Sequence, residues 1–239
     1  MRLATLLAES LLARRRFDAD DVLARYVGWR RDGPFDTGPV AWRVLGAVAD
    51  RTPVLEATRR VHVALGRRTA GCNPAHRAPA LAMSPDVPDD ALARCARVEA
   101  QLTHHDPVAG EVAAIVVVLC RALIRRRSWD EALARALAAG SPATRDVVGD
   151  LELPPHDRGG FAPAVLRAAL HFVDAARDFD GALAPALRFA GVANDCPVLV
   201  GALAGARWGC ARWAEDPRLR ARHEAIADAL AGLEPPAGA

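Results

Sequence analysis

The stretch DPVAGEVAAIVVVLCRALIRRRSWDEALARALAAG, residues 106–140, contains the signals that decide the fold. Asp106 followed by proline is typical of a helix start, because the carboxylate accepts free backbone N–H groups and proline fits the first turn. The apolar residues after it recur at helical spacing as far as Arg127. Ser128 to Glu131 form a capping box for a second helix, and Gly140 is its stop signal. The stretch therefore predicts two consecutive helices.

Helical spacing also dominates elsewhere, and no segment alternates between apolar and polar residues as a half-buried β-strand does. Thr52, which precedes a proline, is predicted to cap a helix. Further predicted helices cover residues 1–16, 18–29, 40–49, 53–65, 162–177, 181–189, 197–208 and 217–233. The longer non-helical stretches are residues 33–38, 66–73, 84–88, 153–160 and 191–196. Since neither a linker nor a fixed repeat divides the chain, the sequence predicts one all-α domain over residues 1–233 and a disordered tail, 234–239.

Composition excludes several classes of protein. The 239 residues include 31 basic residues, all of them arginine, against 29 acidic ones, and 51% of the chain is hydrophobic. Such a chain is globular, and its net charge of +2 predicts no nucleic-acid partner. The absence of lysine excludes Schiff-base chemistry and the phosphate-binding P-loop.

The sequence also predicts a cytoplasmic protein with no membrane partner. The longest uncharged apolar run, Val112 to Cys120, is far shorter than the roughly 20 residues of a membrane-spanning helix. The apolar N-terminus contains Glu9 and has no basic region before it, so it does not resemble a secretion signal. Five dispersed cysteines without a C-x-x-C pair indicate reduced thiols and offer no zinc spacing.

Four clusters of arginine follow predicted helices, at residues 14–16, 30–31, 67–68 and 125–127. A cation at a helix C-terminus opposes the negative end of the helix dipole and contributes about 0.3–1 kcal/mol. We therefore interpret these clusters as helix caps and not as a nucleic-acid surface.

Two polar segments interrupt the amphipathic pattern in the first half of the chain. The first, GCNPAHRAP at residues 71–79, combines a Gly/Asn/Pro loop with His76 and Arg77, which suits an anion such as phosphate. The alternative is an ordinary loop with a surface arginine.

The second, THHDP at residues 103–107, places a histidine pair between the end of one helix and the cap of the next. These histidines either donate to a ribose or phosphate group, or are satisfied inside the protein, and they are too few for a metal site.

The third polar segment, GVANDCP at residues 191–197, leads into a helix rich in small residues. Gly201 and Gly205 lie one turn apart, which predicts close backbone packing and a central position for this helix. Asn194 and Asp195 offer oxygen ligands for a hard cation, or alternatively cap the helix.

In this order, the three segments resemble the ADP-ribosylglycohydrolase family, which includes dinitrogenase-reductase-activating glycohydrolases, ADP-ribosylarginine hydrolases and lens crystallins. The family has a Gly/Asn loop ending in an Arg-x-x-Pro-like sequence, then Thr-His-x-x-Pro, then Gly-Gly-Asp-Thr-Asp-Thr before a Gly-Ala-Leu-Ala-Gly-Ala helix. The counterparts here are residues 71–79, 103–107 and 191–209. The early helices are similar too, so the resemblance runs from near residue 1 to about Trp208.

The resemblance implies an all-α enzyme with two Mg²⁺ ions in a central cleft. Its substrate would be an ADP-ribosylated protein or an ADP-ribose-like small molecule. In that family the metals orient the ribose, and a water activated by a carboxylate attacks the anomeric carbon.

The resemblance also implies a set of site residues. Substrate binding falls to Gly71, Asn73, His76, Arg77, Thr103 and His104, and metal binding to Asn194 and Asp195. Arg77 is the residue expected on a phosphate. No catalytic residue is assigned.

Two departures from the family pattern predict a reduced metal centre. Met1 falls where the family's first Thr-Asp-Asp-Thr motif has just ended, so we expect this N-terminal motif to be missing. In the late motif, Val192 and Asn194 stand at the aspartate positions, while Asp195 takes a threonine position. These departures favour a second hypothesis, an inactive family member that binds a nucleotide or serves structurally.

Overall fold

A computed structural model describes residues 2–33, 38–149, 151, 153–191, 195–210 and 217–232 of the chain. This part of the chain is helical, with one isolated β-bridge between Gly71 and Phe161, and it confirms the predicted all-α fold. The predicted tail, 234–239, lies outside the described residues. The described helices are α1 (Arg2–Arg14), α2 (Ala19–Arg31), α3 (Pro39–Ala49), α4 (Val54–Ala64), α5 (Asn73–Arg77), α6 (Pro79–Met83), α7 (Asp89–Gln101), α8 (Pro107–Ile124), α9 (Trp129–Leu137), α10 (Pro142–Val148), α11 (Ala162–Asp174), α12 (Phe179–Phe189), α13 (Asp195–Trp208) and α14 (Pro217–Ala231).

Helix α8 is the centre of the core. It packs against α5, α6, α7, α9, α11 and α13, and most of its side chains are fully buried. Length and composition alone would let it cross a membrane, but 72% of its 18 residues are buried inside the protein. Its apolar surface is therefore covered by neighbouring helices, as in the core helix of a globular domain.

Helix α13 is also internal, but the predicted reason for its glycines is wrong. Among the described residues, a Cβ atom added at Gly201 would meet no atom within 4 Å, and one at Gly205 would lie 4.0 Å from the Phe179 ring. Neither glycine is required for close backbone packing. The helix packs against α11 and α12 through larger side chains such as Leu199 and Leu203, which are fully buried.

Local start signals are mostly confirmed. The side chain of Asp106 accepts from the backbone N–H of Val108, and that of Ser128 accepts from Glu131. The predicted cap at Thr52 is wrong, because Pro53 itself occupies the cap position without a side-chain hydrogen bond. The sequence predicted a helix that ends at the histidine pair but gave no bounds for it, and the structure places this helix, α7, at Asp89–Gln101. The sequence did not predict α10, and much of the expected loop at 71–79 is helical in α5 and α6.

The arginine clusters lie at helix ends as predicted, but several act across helices. Arg14 and Arg16 pair with Asp21 and Asp18 at the start of the next helix, α2. The Arg30 guanidinium lies 3.1 Å from the centre of the Trp42 ring on α3. The interpretation as caps of their own helices is therefore incomplete, since these contacts join neighbouring helices.

Arg121 of α8 is buried and hydrogen-bonds to the segment that connects α6 with α7. The Arg121 side chain is 8% exposed and donates to four backbone carbonyls of residues 81–87 as well as to Asp89. These bonds fix the connection between α6 and α7 against the central helix, and α7 leads to the histidine segment.

Candidate functional site

Two non-helical segments pair to form the floor of the candidate site. The backbone N–H of Cys72 donates to the Gly160 carbonyl at 3.1 Å, and that of Ala162 donates to the Ala70 carbonyl at 2.9 Å. This short pairing is the Gly71–Phe161 bridge. It places the segment before α5 beside the segment before α11, although they are about ninety residues apart in the chain.

The end of α7 brings His104 to this pairing. The backbone N–H groups of Thr103 and His104 both donate to the Ala100 carbonyl, which turns the chain tightly after the helix. A Cβ atom added at Gly71 would lie 3.4 Å from His104 Nε2. Because Gly71 has no side chain, His104 Nε2 lies next to the backbone of Gly71.

The start of α13 brings Asp195 to the same place. Its Oδ1 lies 3.7 Å from His76 Nε2 on α5, with both side chains about 15% exposed. A Cβ atom at Gly160 would lie 2.8 Å from Asp195 Oδ2, closer than real Cβ atoms come. Gly160 is thus required for the carboxylate to occupy its position.

The Gly71 site consists of five residues that meet here, Gly71, His76, His104, Gly160 and Asp195, together with Asn73, which lies three residues before His76 on α5. Asn73 begins α5, and its Nδ2 would lie 2.7 Å from a Cβ atom at Gly38. All of these residues except His104 keep partial exposure. The site therefore presents amide, imidazole and carboxylate groups at the protein surface.

Burial controls the charges of the ionisable groups near the site. It lowers the pKa of His76 to about 4, although Asp195 opposes this shift, so the imidazole is neutral at pH 7. Burial, and then the charge of Asp195, raise the pKa of the Cys72 thiol well above its usual range and that of Cys196 to about 12. Both thiols therefore stay protonated and are poor nucleophiles.

A buried polar network lies behind the site, and two of its atoms, Arg77 Nη1 and Glu99 Oε2, have no hydrogen-bond partner among the described residues. Arg77 Nε and the Tyr26 hydroxyl both donate to Glu99 Oε1, and Arg77 Nη2 donates to Thr103 Oγ1 at 2.7 Å. Arg77 is 3% exposed and Glu99 is fully buried. Burial alone would lower the pKa of Arg77, but the Glu99 charge raises it overall, so the guanidinium stays charged.

This network gives Arg77 a different position from the one expected. A phosphate ligand must reach the guanidinium, whereas here the group is enclosed and bonds two residues of the α7 region. The guanidinium is therefore part of a buried network, and phosphate binding by Arg77 stays a prediction. Thr103 is likewise fully buried and holds Arg77 and His104 instead of facing solvent.

The other predicted residues divide into two groups. Gly71, His76, His104 and Asp195 come together at the Gly71 site, and Asn73 lies on the same helix as His76, although ligand binding by these residues stays a prediction. Asn194, predicted as a metal ligand, lies outside the described residues, as does Val192.

The described side chains do not fit the two Mg²⁺ ions implied by the resemblance. Mg²⁺ prefers oxygen ligands in near-octahedral geometry, and a dimetal centre needs several carboxylates. Within the described ranges, no group of three His, Cys, Asp or Glu side chains is arranged to hold a metal. Asp195 itself faces the nitrogen of His76. The magnesium site stays a prediction, and no reaction step is assigned to it.

Sequence reasoning missed Gly160, Glu99 and Tyr26. Gly160 lay in a stretch noted only as non-helical, although the Gly159-Gly160 pair is a signal for close backbone approach. Glu99 is an acidic residue inside α7, a helix whose bounds were not predicted, and only its buried partners distinguish it from a surface glutamate.

Comparisons with known proteins agree with this architecture. No curated protein matches the chain. A solved structure described as an "ADP-ribosylglycohydrolase-related protein complex" has 31% sequence identity and a TM-score of 0.78, and the match covers 97% of this chain and 80% of that one. The family model for ADP-ribosylglycohydrolase matches residues 1–238. With the motif order, the helical fold and a family match over nearly its whole length, the chain belongs to the ADP-ribosylglycohydrolase family.

Proposed function

We propose that this chain hydrolyses the glycosidic bond that joins ADP-ribose to a modified side chain or to a small leaving group. The observation that carries the proposal is the meeting of Asp195 with His76 and His104 around Gly71, in a member of a glycohydrolase family. These residues come from three separate helical regions, so their proximity is a product of the fold and not of sequence adjacency.

The reaction needs a base, a leaving-group proton and groups that hold the sugar. A water oxygen bonds to the anomeric carbon while the bond from that carbon to the leaving nitrogen or oxygen breaks. In the proposal Asp195 accepts the proton of the water, and the leaving group takes up a proton as it departs. Asn73 and His104 bind ribose or phosphate oxygens, and His76 limits the position of the carboxylate.

The direct test is release of ADP-ribose from protein carrying ADP-ribosyl-arginine or ADP-ribosyl-serine. Product is measured by chromatography with added Mg²⁺ and with EDTA, for the wild type and for Asp195→Asn. Release by the wild type and its loss in the variant support the proposal. No release from either substrate under either condition would overturn it.

A second function, binding without catalysis, is favoured by the donor set of the site. The described residues place a single carboxylate beside His76, and Val192 replaces an acidic residue of the family motif. The test is thermal unfolding with ADP-ribose, with and without Mg²⁺. Metal-independent stabilisation without hydrolysis would identify a nucleotide-binding protein, and the absence of any shift would favour a structural protein.

A further inference from the structure

A directed chain of hydrogen bonds leads from Arg77 to His104. Arg77 Nη2 lies 2.7 Å from Thr103 Oγ1, and that oxygen lies 2.8 Å from His104 Nδ1. A guanidinium has donors only, so Thr103 Oγ1 accepts from Arg77. The Thr103 hydroxyl proton is then free to donate to the imidazole.

The Thr103 oxygen has a second lone pair, so its contact with Nδ1 fits either tautomer of His104, and donation by Thr103 corresponds to the tautomer protonated on Nε2. When Nδ1 accepts the Thr103 proton, a neutral imidazole carries its own proton on Nε2. Full burial, and then the positive charge of Arg77, lower the pKa of His104 to about 3, so the ring is neutral at pH 7. A protonated His104 would place a second positive charge near the Arg77 guanidinium, and the two charges would repel each other.

The network is anchored firmly enough to hold one direction. Glu99 accepts from both Arg77 and Tyr26, and all of these groups are buried. Arg77 therefore cannot turn its Nη2 donor away from Thr103 without giving up the bonds of a buried ion pair.

The Nε2 atom of His104 lies on the opposite side of the ring, towards the Gly71 site. A side chain at Gly71 would begin 3.4 Å from this nitrogen, so the absence of one at Gly71 leaves Nε2 facing the site. A donor in this position matches an oxygen acceptor that a ligand brings to the site.

We propose that Arg77, acting through Thr103, fixes His104 as the neutral Nε2–H tautomer, so that His104 donates a hydrogen bond to a ligand oxygen and does not act as a base. Arg77 and Thr103 are positioning residues in this arrangement, and neither touches the ligand. The inference rests on the proposed function only for the identity of the ligand, an ADP-ribose oxygen.

The first test needs no ligand. Long-range ¹H–¹⁵N spectra of the labelled full chain report which imidazole nitrogen of each of the seven histidines is protonated, and His104→Gln assigns the signals. We expect His104 to show a protonated Nε2 and an unprotonated Nδ1. Thr103→Val removes the donor to Nδ1 and should give a mixture of tautomers, whereas Thr103→Ser keeps the hydroxyl and the wild-type pattern.

The second test separates this inference from the proposed function. ADP-ribose is titrated by calorimetry into the wild type, Thr103→Val and Thr103→Ser, with thermal unfolding as a check on folding. Loss of one oriented hydrogen bond predicts about tenfold weaker binding for the valine variant and near-normal binding for serine.

Each failure has a distinct meaning. Two results would overturn the tautomer inference whether or not ADP-ribose binds. One is a wild-type spectrum in which Nδ1 of His104 is protonated, and the other is a Thr103→Val spectrum that shows the same His104 tautomer as the wild type. Equal affinities of the valine and serine variants would overturn the assignment of His104 as a donor. Failure of the wild type to bind ADP-ribose, with the expected spectra, would instead count against the proposed function and exclude ADP-ribose as the acceptor.

Discussion

At the residue scale, Gly160 shows how a missing side chain shapes the site. Its Cα faces Asp195 so closely that a methyl group would lie 2.8 Å from the carboxylate oxygen. Gly160→Ala should displace Asp195 from His76 and lower kcat/KM for ADP-ribose release on the order of tenfold to a hundredfold, because small misplacements of reacting groups are costly.

The matched control is Gly201→Ala, on the same helix as Asp195 but with open space around the added methyl group. It should keep wild-type kinetics and gain up to about 1 kcal/mol of stability, since alanine favours a helix over glycine. Equal kinetics for the two variants would contradict the role given to Gly160.

Asp21 is the residue from which we predict a pH dependence. Burial opposes ionisation, but donation from Arg25, Ser10 and Arg14 outweighs it and lowers the pKa of Asp21 to about 2. Since this lies below the unfolded value, the carboxylate contributes stability above about pH 4, and the contribution is lost as the pH falls towards 2.

Asp21→Asn should therefore cost about 1–2 kcal/mol in urea unfolding at pH 7, and the difference from wild type should shrink below about pH 4. The control is Asp20→Asn, an exposed neighbour in the same first helical turn. A pH-independent cost for Asp21→Asn would refute the assignment.

At the element scale, the end of α8 contains an arginine in a conformation that favours glycine. Arg126 has φ of 61°, and its N–H and that of Arg127 donate to Leu123 and Ala122 in a typical helix-ending motif. The left-handed conformation costs an L-residue roughly 1–2 kcal/mol, and glycine avoids this cost. Part of the gain is lost, because glycine raises the conformational entropy of the unfolded chain.

Arg126→Gly should therefore raise the free energy of unfolding by about 0.5–1 kcal/mol. Arg127→Gly, next in the chain and not at positive φ, should give no gain. Chemical denaturation of both variants provides the measurement, and a loss of stability in Arg126→Gly would contradict this account of the helix end.

At the scale of the whole molecule, Arg121 joins the central helix to the α6–α7 connection. Replacement by methionine keeps the apolar stem but leaves four backbone carbonyls without this donor. We expect Arg121→Met to lose about 2–4 kcal/mol of stability, because buried carbonyl groups are left without a hydrogen-bond donor.

Arg125 pairs with the same aspartate, Asp89, but its side chain is 55% exposed. Arg125→Met should cost no more than about 1 kcal/mol. Thermal unfolding compares the two variants, and similar losses would show that burial is not what makes Arg121 important.

Prediction from sequence succeeded where the physics is local. The cap at Asp106 and the apolar period of α8 act within a few residues, so they predicted this helix correctly. The bounds of α7 were not predicted, because most of its residues are polar and only a few apolar ones, such as Leu92 and Ala96, mark its buried face. The site segments were found by their order along the chain, but their contacts required the fold.

The sequence by itself determined most of the helices, the family and the order of the site segments, because periodicity, caps and motifs are properties of neighbouring residues. Only the tertiary structure decided what Arg77 does. Its partners Tyr26, Glu99 and Thr103 come from other helical regions. Whether a guanidinium meets a phosphate or a buried carboxylate depends on which groups folding brings within a few ångströms, where desolvation makes the pairing decisive.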